Sequence, residues 1–235
     1  MNSLLTTFNK KDILKLFLIG LESTKPKNTL HKYIDFYNNS LIIKNKKKFV
    51  YKSFRHILPI AVGKASVQMA ESFNKIAKNC KKITSGILIV NKENFRKIDN
   101  FKCFTSGHPL PNKQGMDATS YLVNELIKTN KNDIIVLMLS GGGSAMLPFP
   151  AHGISLKEKV NMNQLLLECG ANIGEINAVR KHISQIKGGN FLKYASPSLV
   201  HTLIISDVVG DNLSSIASGL TVPDQTTFQE VIKIC

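Results

Sequence analysis

Short apolar runs of strand length recur along the chain at Ile57–Val62, Gly86–Val90, Phe101–Thr105, Ile134–Leu139 and Thr202–Ser206. Such runs, apolar at nearly every position, are expected of strands in a sheet covered on both faces. Between them lie segments with helical spacing. The pattern predicts helices over Lys10–Leu21, with Asn9 as its cap, over Thr29–Asn39, and from Gly63-Lys64-Ala65-Ser66 to about Cys80. Further helices are predicted over Gln114–Lys128, Leu156–Cys169 and Ile173–Lys187, and a last one begins near Thr226. A short strand is expected at Leu41–Ile43 inside a Lys/Asn-rich loop, and Pro59 points to a strand start or an edge position. Alternation of strand and helix at this spacing predicts an α/β fold. We expect three α/β/α layers: a largely parallel, Rossmann-like sheet with helices on both faces, and one domain over residues 1–235.

The turns after the strands carry the candidate chemistry. Ser140-Gly141-Gly142-Gly143-Ser144 follows the apolar run Ile134–Leu139 and removes three successive β-carbons between two hydroxyls. Several backbone N–H groups can then converge on one phosphate or carboxylate, at the strand end where open α/β sheets place ligands. A ligand-free strand-to-helix turn is the plain alternative. Lys64 stands one residue past a strand at a helix start, where its charge would add to an anion site. Its surroundings are not a Walker A motif. His108, between Gly107 and Pro109 in a proline-rich loop, is placed as a ligand-facing or proton-transferring imidazole, or as a histidine that only closes the loop. Asp207 and Asp211 share one turn, and could hold Mg²⁺ beside substrate phosphates, take a proton from a hydroxyl, or serve as turn residues.

One more segment is patterned. Ile176, Val179, Ile183 and Ile186 make an apolar stripe, and Asn177, Arg180, Ser184 and Lys187 repeat it one position later, before Gly188-Gly189 ends the helix. The polar strip could guide an acidic substrate or simply face water.

Composition alters this picture little. Lys plus Arg outnumber Asp plus Glu by 31 to 16, a net charge of +15. The basic residues are mostly lysines dispersed among Asn and Ile, without an aromatic-interleaved stripe, so the charge favours anionic small molecules over nucleic acid. No run reaches the roughly 18 apolar residues of a membrane span. The four cysteines are widely separated, as in a reduced, cytoplasmic setting. The absence of GxGxxG after the first strand, of HExxH and of GxSxG argues against nicotinamide binding by the usual fingerprint, zinc proteolysis and α/β-hydrolase chemistry.

Five segments taken in order resemble one family. AVGKAS (Ala61–Ser66), SGHPLPN (Ser106–Asn112), LSGGGSAMLPFP (Leu139–Pro150), INAVRKHISQIKGGN (Ile176–Asn190) and IISDVVGDNLSSIASGLTVPD (Ile204–Asp224) are similar to the motifs of class II glycerate kinases. The resemblance implies ATP-dependent phosphorylation of the 2-hydroxyl of D-glycerate, in a cleft between two α/β domains of which this chain matches the first. The sequence stops at Cys235, so the second domain and the basic catalytic residue it supplies are expected to be absent, and activity is expected only if a separate chain supplies them. Lys64 matches a residue considered catalytic in the family, and Ser140–Ser144 matches its proposed phosphate-binding loop. Leu220 stands where the family's SGPT turn has proline, a departure that bears on the shape of that loop. By position and charge, Asp207 or Asp211 would ligate Mg²⁺ or deprotonate the hydroxyl, and Arg180 or Lys187 would pair with the glycerate carboxylate. An inactive remnant is one alternative. A hydroxypyruvate reductase, a label attached to some relatives, is another.

Overall fold

The computed structural model describes residues 9–235. Five parallel strands make its centre: β4 (Ile57–Val62), β5 (Gly86–Asn91), β6 (Phe101–Ser106), β7 (Ile134–Ser140) and β8 (Leu199–Ile205), in the order β6-β5-β4-β7-β8. Neighbouring side chains along each strand enter opposite cores. Ile57, Ala61, Leu88, Val136 and Met138 pack with one face, while Leu58, Ile60, Val62, Ile87, Ile89, Ile135 and Leu137 pack with the other. Both faces are covered, which is why these strands read as continuous apolar runs and not as alternations.

Helix α3 (Ser66–Ile76) covers the first face through Val67, Met69, Ala70 and Phe73. On the second face lie α4 (Lys113–Ile127), with Ala118, Leu122 and Leu126, and the short α8 (Phe191–Ala195), with Phe191. Leu220 is buried in this second core as well, filling it with a side chain where the expected turn had proline. The expected α/β/α layering is therefore present. Arg55 anchors the start of β7 through a two-pronged contact to buried Asp133, at 2.8 and 2.5 Å.

Pro59 departs from expectation. It lies inside β4, the central strand, paired to Val136 of β7. On the other side the ladder to β5 is interrupted between an isolated Ile57–Ile83 bridge and the Ile60–Ile87 pair. Three steps on β4 face four on the partner there, a bulge where the missing proline N–H is tolerated.

The segment before β4 corrects a second expectation. No helix spans Thr29–Asn39. A single turn, α2 (Pro26–Thr29), follows α1 (Lys10–Thr24), and the chain then forms an antiparallel sheet of β1 (Ile34–Tyr37), β2 (Ser40–Lys44) and β3 (Lys48–Tyr51). Asn38 and Asn39 both take left-handed φ, 47° and 58°, as the two central residues of the β1–β2 turn. Asparagine adopts that geometry more readily than most residues, and a tight hairpin results. Ile34, Leu41 and Ile43 point into the α3 core. Helix α1 starts at an Asn9/Asp12 capping box as expected, yet its apolar side chains, Phe17 and Leu18 among them, are exposed.

After β7 come a single turn, α5 (Gly143–Met146), then α6 (Leu156–Glu168) and α7 (Ile173–His182), the latter two opened by capping boxes, Ser155/Glu158 and Asn172/Glu175. Helix α7 is shorter than its sequence pattern predicts. Its continuation is captured by the 149–151 segment: Gln185 N–H donates to the Phe149 carbonyl (2.8 Å), Ala151 N–H to the Ile183 carbonyl (3.1 Å), and Ser184 bridges Pro150. Gly188-Gly189 therefore leads into α8 instead of ending a long helix. The last helix, α9 (Phe228–Ile234), packs Val231 against α7. Among the described residues no helix is long and apolar enough to cross a membrane.

Candidate functional site

Counting only the parallel strands in chain order, the sheet reads 3-2-1-4-5, so the order reverses between β4 and β7. Connections leave the sheet in opposite directions at that point, and a crevice opens at the carboxyl ends of the two strands. The turn after β4 carries Gly63 and Lys64; the turn after β7 carries Ser140 to Ser144. The two are interlocked. Lys64 N–H donates to the Gly141 carbonyl (2.8 Å), and Ala65 N–H to Ser140 Oγ (3.0 Å). Gly63 has a φ of +117°, and a β-carbon there would lie 2.4 Å from the Ser140 carbonyl oxygen. Only glycine satisfies both the backbone angle and the approach.

Asp207, just past β8, reaches the same place. Its Oδ2 is 3.7 Å from Lys64 Nζ, and it would lie 2.1 Å from a β-carbon on Gly141. The carboxylate thus rests on the bare face of the glycine turn. Both partners stay open to solvent, with side-chain exposures of 46% and 61%. Among the described residues, none of the N–H groups of Gly141, Gly142, Gly143 and Ser144 donates to a protein acceptor. Gly142, at φ +86°, aims the chain into α5, and those N–H groups are the donors that a helix start leaves free. Lys64, the triple glycine and Asp207 therefore face one crevice.

His108 approaches from the neighbouring strand end. A β-carbon on Gly142 would sit 2.8 Å from its Cδ2 and 3.1 Å from its Nε2. Its loop is pinned by Asn112, whose side-chain oxygen accepts from both Gly107 N–H and Gly115 N–H at 2.9 Å, capping α4 at the same time. Ser106 Oγ adds a bond to the Met146 carbonyl (2.9 Å). Asp211 stands apart: it is exposed at a left-handed φ of 51° and does not line the cavity described next. Among the described residues no three His, Cys, Asp or Glu side chains cluster as a metal cage.

A cavity of about 190 Å³ opens between the glycine turn and α7, lined by Asn177, Arg180, Asp207 and the turn itself. Arg180 is half-buried, and its Nε donates to Asn163 Oδ1 of α6 at 2.7 Å. Burial lowers its pKa. Lys187, expected to offer a free cation, does not. The early end of α7 turns it inward, 1% exposed, and Nζ donates to the Ser144 carbonyl at 2.6 Å, bracing the glycine turn. Burial first, then Lys159 and Arg180 nearby, hold its pKa well below the usual lysine value. Ser184 is likewise off the helix, so of the polar strip only Asn177 and Arg180 share α7.

Three participants are not legible in the sequence. Lys159, 2% exposed, donates to the Ile183 carbonyl (2.9 Å); burial and then Arg180 bring its pKa to about 7. Asn163, four residues on, carries Arg180. Ser218 Oγ contacts Ser144 Oγ (2.7 Å) and donates to Asn177 Oδ1 (3.3 Å), with Ala217 and Ser218 both at positive φ. Backbone strain of this kind in non-glycine residues concentrates at functional sites.

Comparison with known proteins follows the same lines. A family model described as a domain of unknown function, DUF4147, matches residues 12–235. The chain is similar to the D-glycerate 2-kinase of Thermotoga maritima, 38% identical over 179 residues, which cover 76% of this chain and 42% of that protein. It is 39% identical over 193 residues to the glycerate 2-kinase of Pyrococcus horikoshii, covering 82% and 42%. The crystal structure of a glycerate kinase from Thermotoga maritima matches with a TM-score of 0.82 at 33% identity, over 96% of this chain and 50% of that one. The chain spans about half the length of the relatives it matches or less. It belongs to the DUF4147 family and corresponds to the amino-terminal half of glycerate 2-kinase-like proteins.

Proposed function

We propose that this chain is the phosphate-handling domain of an ATP-dependent kinase acting on the 2-hydroxyl of D-glycerate, working with the second half that its relatives carry. The observation that carries the reading is the meeting of Lys64, the free N–H groups of the glycine turn and Asp207 at the reversal point of the sheet. Transfer of a phosphoryl group asks mainly for positioning and for neutralisation of its oxygens. Lys64 supplies a mobile positive charge there. Fixed donors come from the amides of Gly142, Gly143 and Ser144, each worth about 3 kcal/mol when aimed at developing charge. The relatives' names support nucleotide and glycerate as substrates.

Mg²⁺ would supply further neutralisation of nucleotide phosphates. It needs only one or two carboxylates beside phosphate oxygens and water. Asp207, exposed against the turn, fits as such a ligand; Asp211 fits less well, being outside the cavity. Asp207 also lies where it could accept the proton of the attacking hydroxyl. His108, over Gly142, would border the incoming phosphate.

The test is ATP-dependent phosphorylation of D-glycerate, with this chain alone and with a second chain carrying the remaining half of a relative. Turnover is expected in the mixture, and Lys64→Ala should lower it at least about a hundredfold. An undiminished rate in that variant would remove Lys64 from the reaction. NADH consumption with hydroxypyruvate, in place of phosphorylation, would establish the reductase reading. Silence in both assays, with the protein folded, would leave an inactive remnant.

A further inference from the structure

Behind the glycine turn sits a group of basic side chains that the phosphate-handling reading does not use. Lys159 and Lys187 are 2% and 1% exposed, and Arg180 is half-buried between α6 and the cavity. Each donates only to a neutral oxygen: Lys159 Nζ to the Ile183 carbonyl, Lys187 Nζ to the Ser144 carbonyl, Arg180 Nε to the Asn163 side chain. Among the described residues none of the three has a carboxylate as an ion-pair partner. The contrast lies one residue away, where Lys181 is paired with Asp224 at 3.2 Å. Buried charge is normally paired, because an uncompensated ion out of water is costly. Burial disfavours the charged form of Lys159 and Lys187, so the Arg180 guanidinium is the cation of the group without a counter-ion, and its negative partner comes from outside.

The cavity gives that partner room. At about 190 Å³ it has room for a small oxyanion, and its wall includes Arg180 and Asn177 with the Asp207 carboxylate at the side of the glycine turn. We propose that this cavity binds one small oxyanion of the substrate, gripped by the Arg180 guanidinium, with Asn163 as the residue that positions it. Asn163 is itself held on both sides. It is 6% exposed, its Oδ1 accepts from Arg180, and its Nδ2 is fixed by the Lys159 carbonyl at 3.0 Å. Occupying Arg180 Nε in this way leaves the two terminal nitrogens of the guanidinium for the ligand. A guanidinium matches carboxylate and phosphate oxygens equally well, so the two sources share one chemistry.

The proposal deepens the kinase reading, but its test reads equilibrium binding and needs no turnover. The full chain is titrated with sodium phosphate or with D-glycerate at fixed ionic strength, with chloride as control, by calorimetry and by thermal melting. Saturable binding and stabilisation by D-glycerate alone identify a carboxylate site, and by phosphate alone a phosphate site. Arg180→Lys should weaken that binding about tenfold or more. Asn163→Asp sets a carboxylate against the guanidinium, so it should raise the melting temperature of the free protein and abolish the ligand-induced shift. A merely structural Asn163 would alter the melting temperature and leave anion affinity intact. If Asn163→Asp does not fold, Arg180→Lys decides alone. Wild-type protein that responds to both anions no more than to chloride, or affinity unchanged in the variants, overturns the proposal. Anion binding without any kinase turnover would keep the subsite and refute the kinase reading.

Discussion

Replacing Gly141 by alanine separates the chemistry of the glycine turn from the stability of the fold. Its φ is not in the left-handed region, so alanine can adopt the backbone. The new β-carbon would fall 2.1 Å from Asp207 Oδ2 and 2.7 Å from Asp207 Cγ, and one of the two must move. Asp207 is the freer partner, an exposed side chain whose contact with Lys64 at 3.7 Å is an open ion pair. Pairs of that kind are worth about 0–1 kcal/mol. For a chain of this size 1 kcal/mol corresponds to about 2–4 °C, so the melting temperature should fall by no more than that. Anion binding should suffer far more, because a methyl group occupies the approach to the free N–H groups, which outweighs the release of Lys64 from the carboxylate. Loss of one well-aimed donor position costs about a hundredfold. The assay is a melting curve beside a calorimetric titration with ATP. A fall of about 8 °C or more would show that Asp207 is locked in place, and unchanged nucleotide affinity would show that the turn does not bind phosphate.

Gly63→Ala should behave oppositely, because its clash is with the Ser140 backbone and its φ is +117°; urea unfolding should show a loss of about 3 kcal/mol or more. Asp133 tests the other end of the sheet. Burial opposes its ionisation, but Arg55 and the Asn130 N–H prevail and hold its pKa below the usual carboxylate value. The stability it contributes is present above the unfolded-state pKa, near 4, and is lost as pH falls through the lower folded-state value. Asp133→Asn should therefore destabilise at pH 6 and be nearly indistinguishable from wild type near pH 2 in urea unfolding. Lys159 predicts a slope at the alkaline side. With a folded pKa of about 7 against an unfolded value near 10.5, the unfolded chain holds the extra proton between them. Stability should rise with pH across that window, by up to about 1.4 kcal/mol per pH unit, and Lys159→Met should flatten the rise.

The parallel sheet is legible because its strands are short apolar runs separated by helical spacing, and the glycine turn because five adjacent residues carry its whole signal. Lys64 and His108 are legible for the same local reason, each following a strand end. The antiparallel hairpin reads wrongly as a helix. Period-two burial at Ile34, Leu41 and Ile43 is faint in isolation, and Asn38-Asn39 is a weaker turn mark than a glycine pair. The end of α7 is hidden because the apolar stripe does continue, with Ile186 fully buried, while the backbone that carries it is taken by Phe149 and Ala151. Lys159 and Asn163 look like the solvated side of an amphipathic helix, and only contacts 24 and 17 residues away along the chain draw them inward. Lys187 is recognisably cationic, yet its pattern places it in open water. A lysine's charge is visible in sequence, whereas its burial is a tertiary property.

The most direct test of the common crevice is an NMR titration of the isotope-labelled chain with ATP, following backbone amides. The account predicts that Lys64, Ala65, Gly141, Gly142, Gly143 and Ser144 shift together along one binding curve, and that Lys64→Ala weakens that curve for all of them. Shifts confined to one of the two turns, or following separate curves, would contradict it.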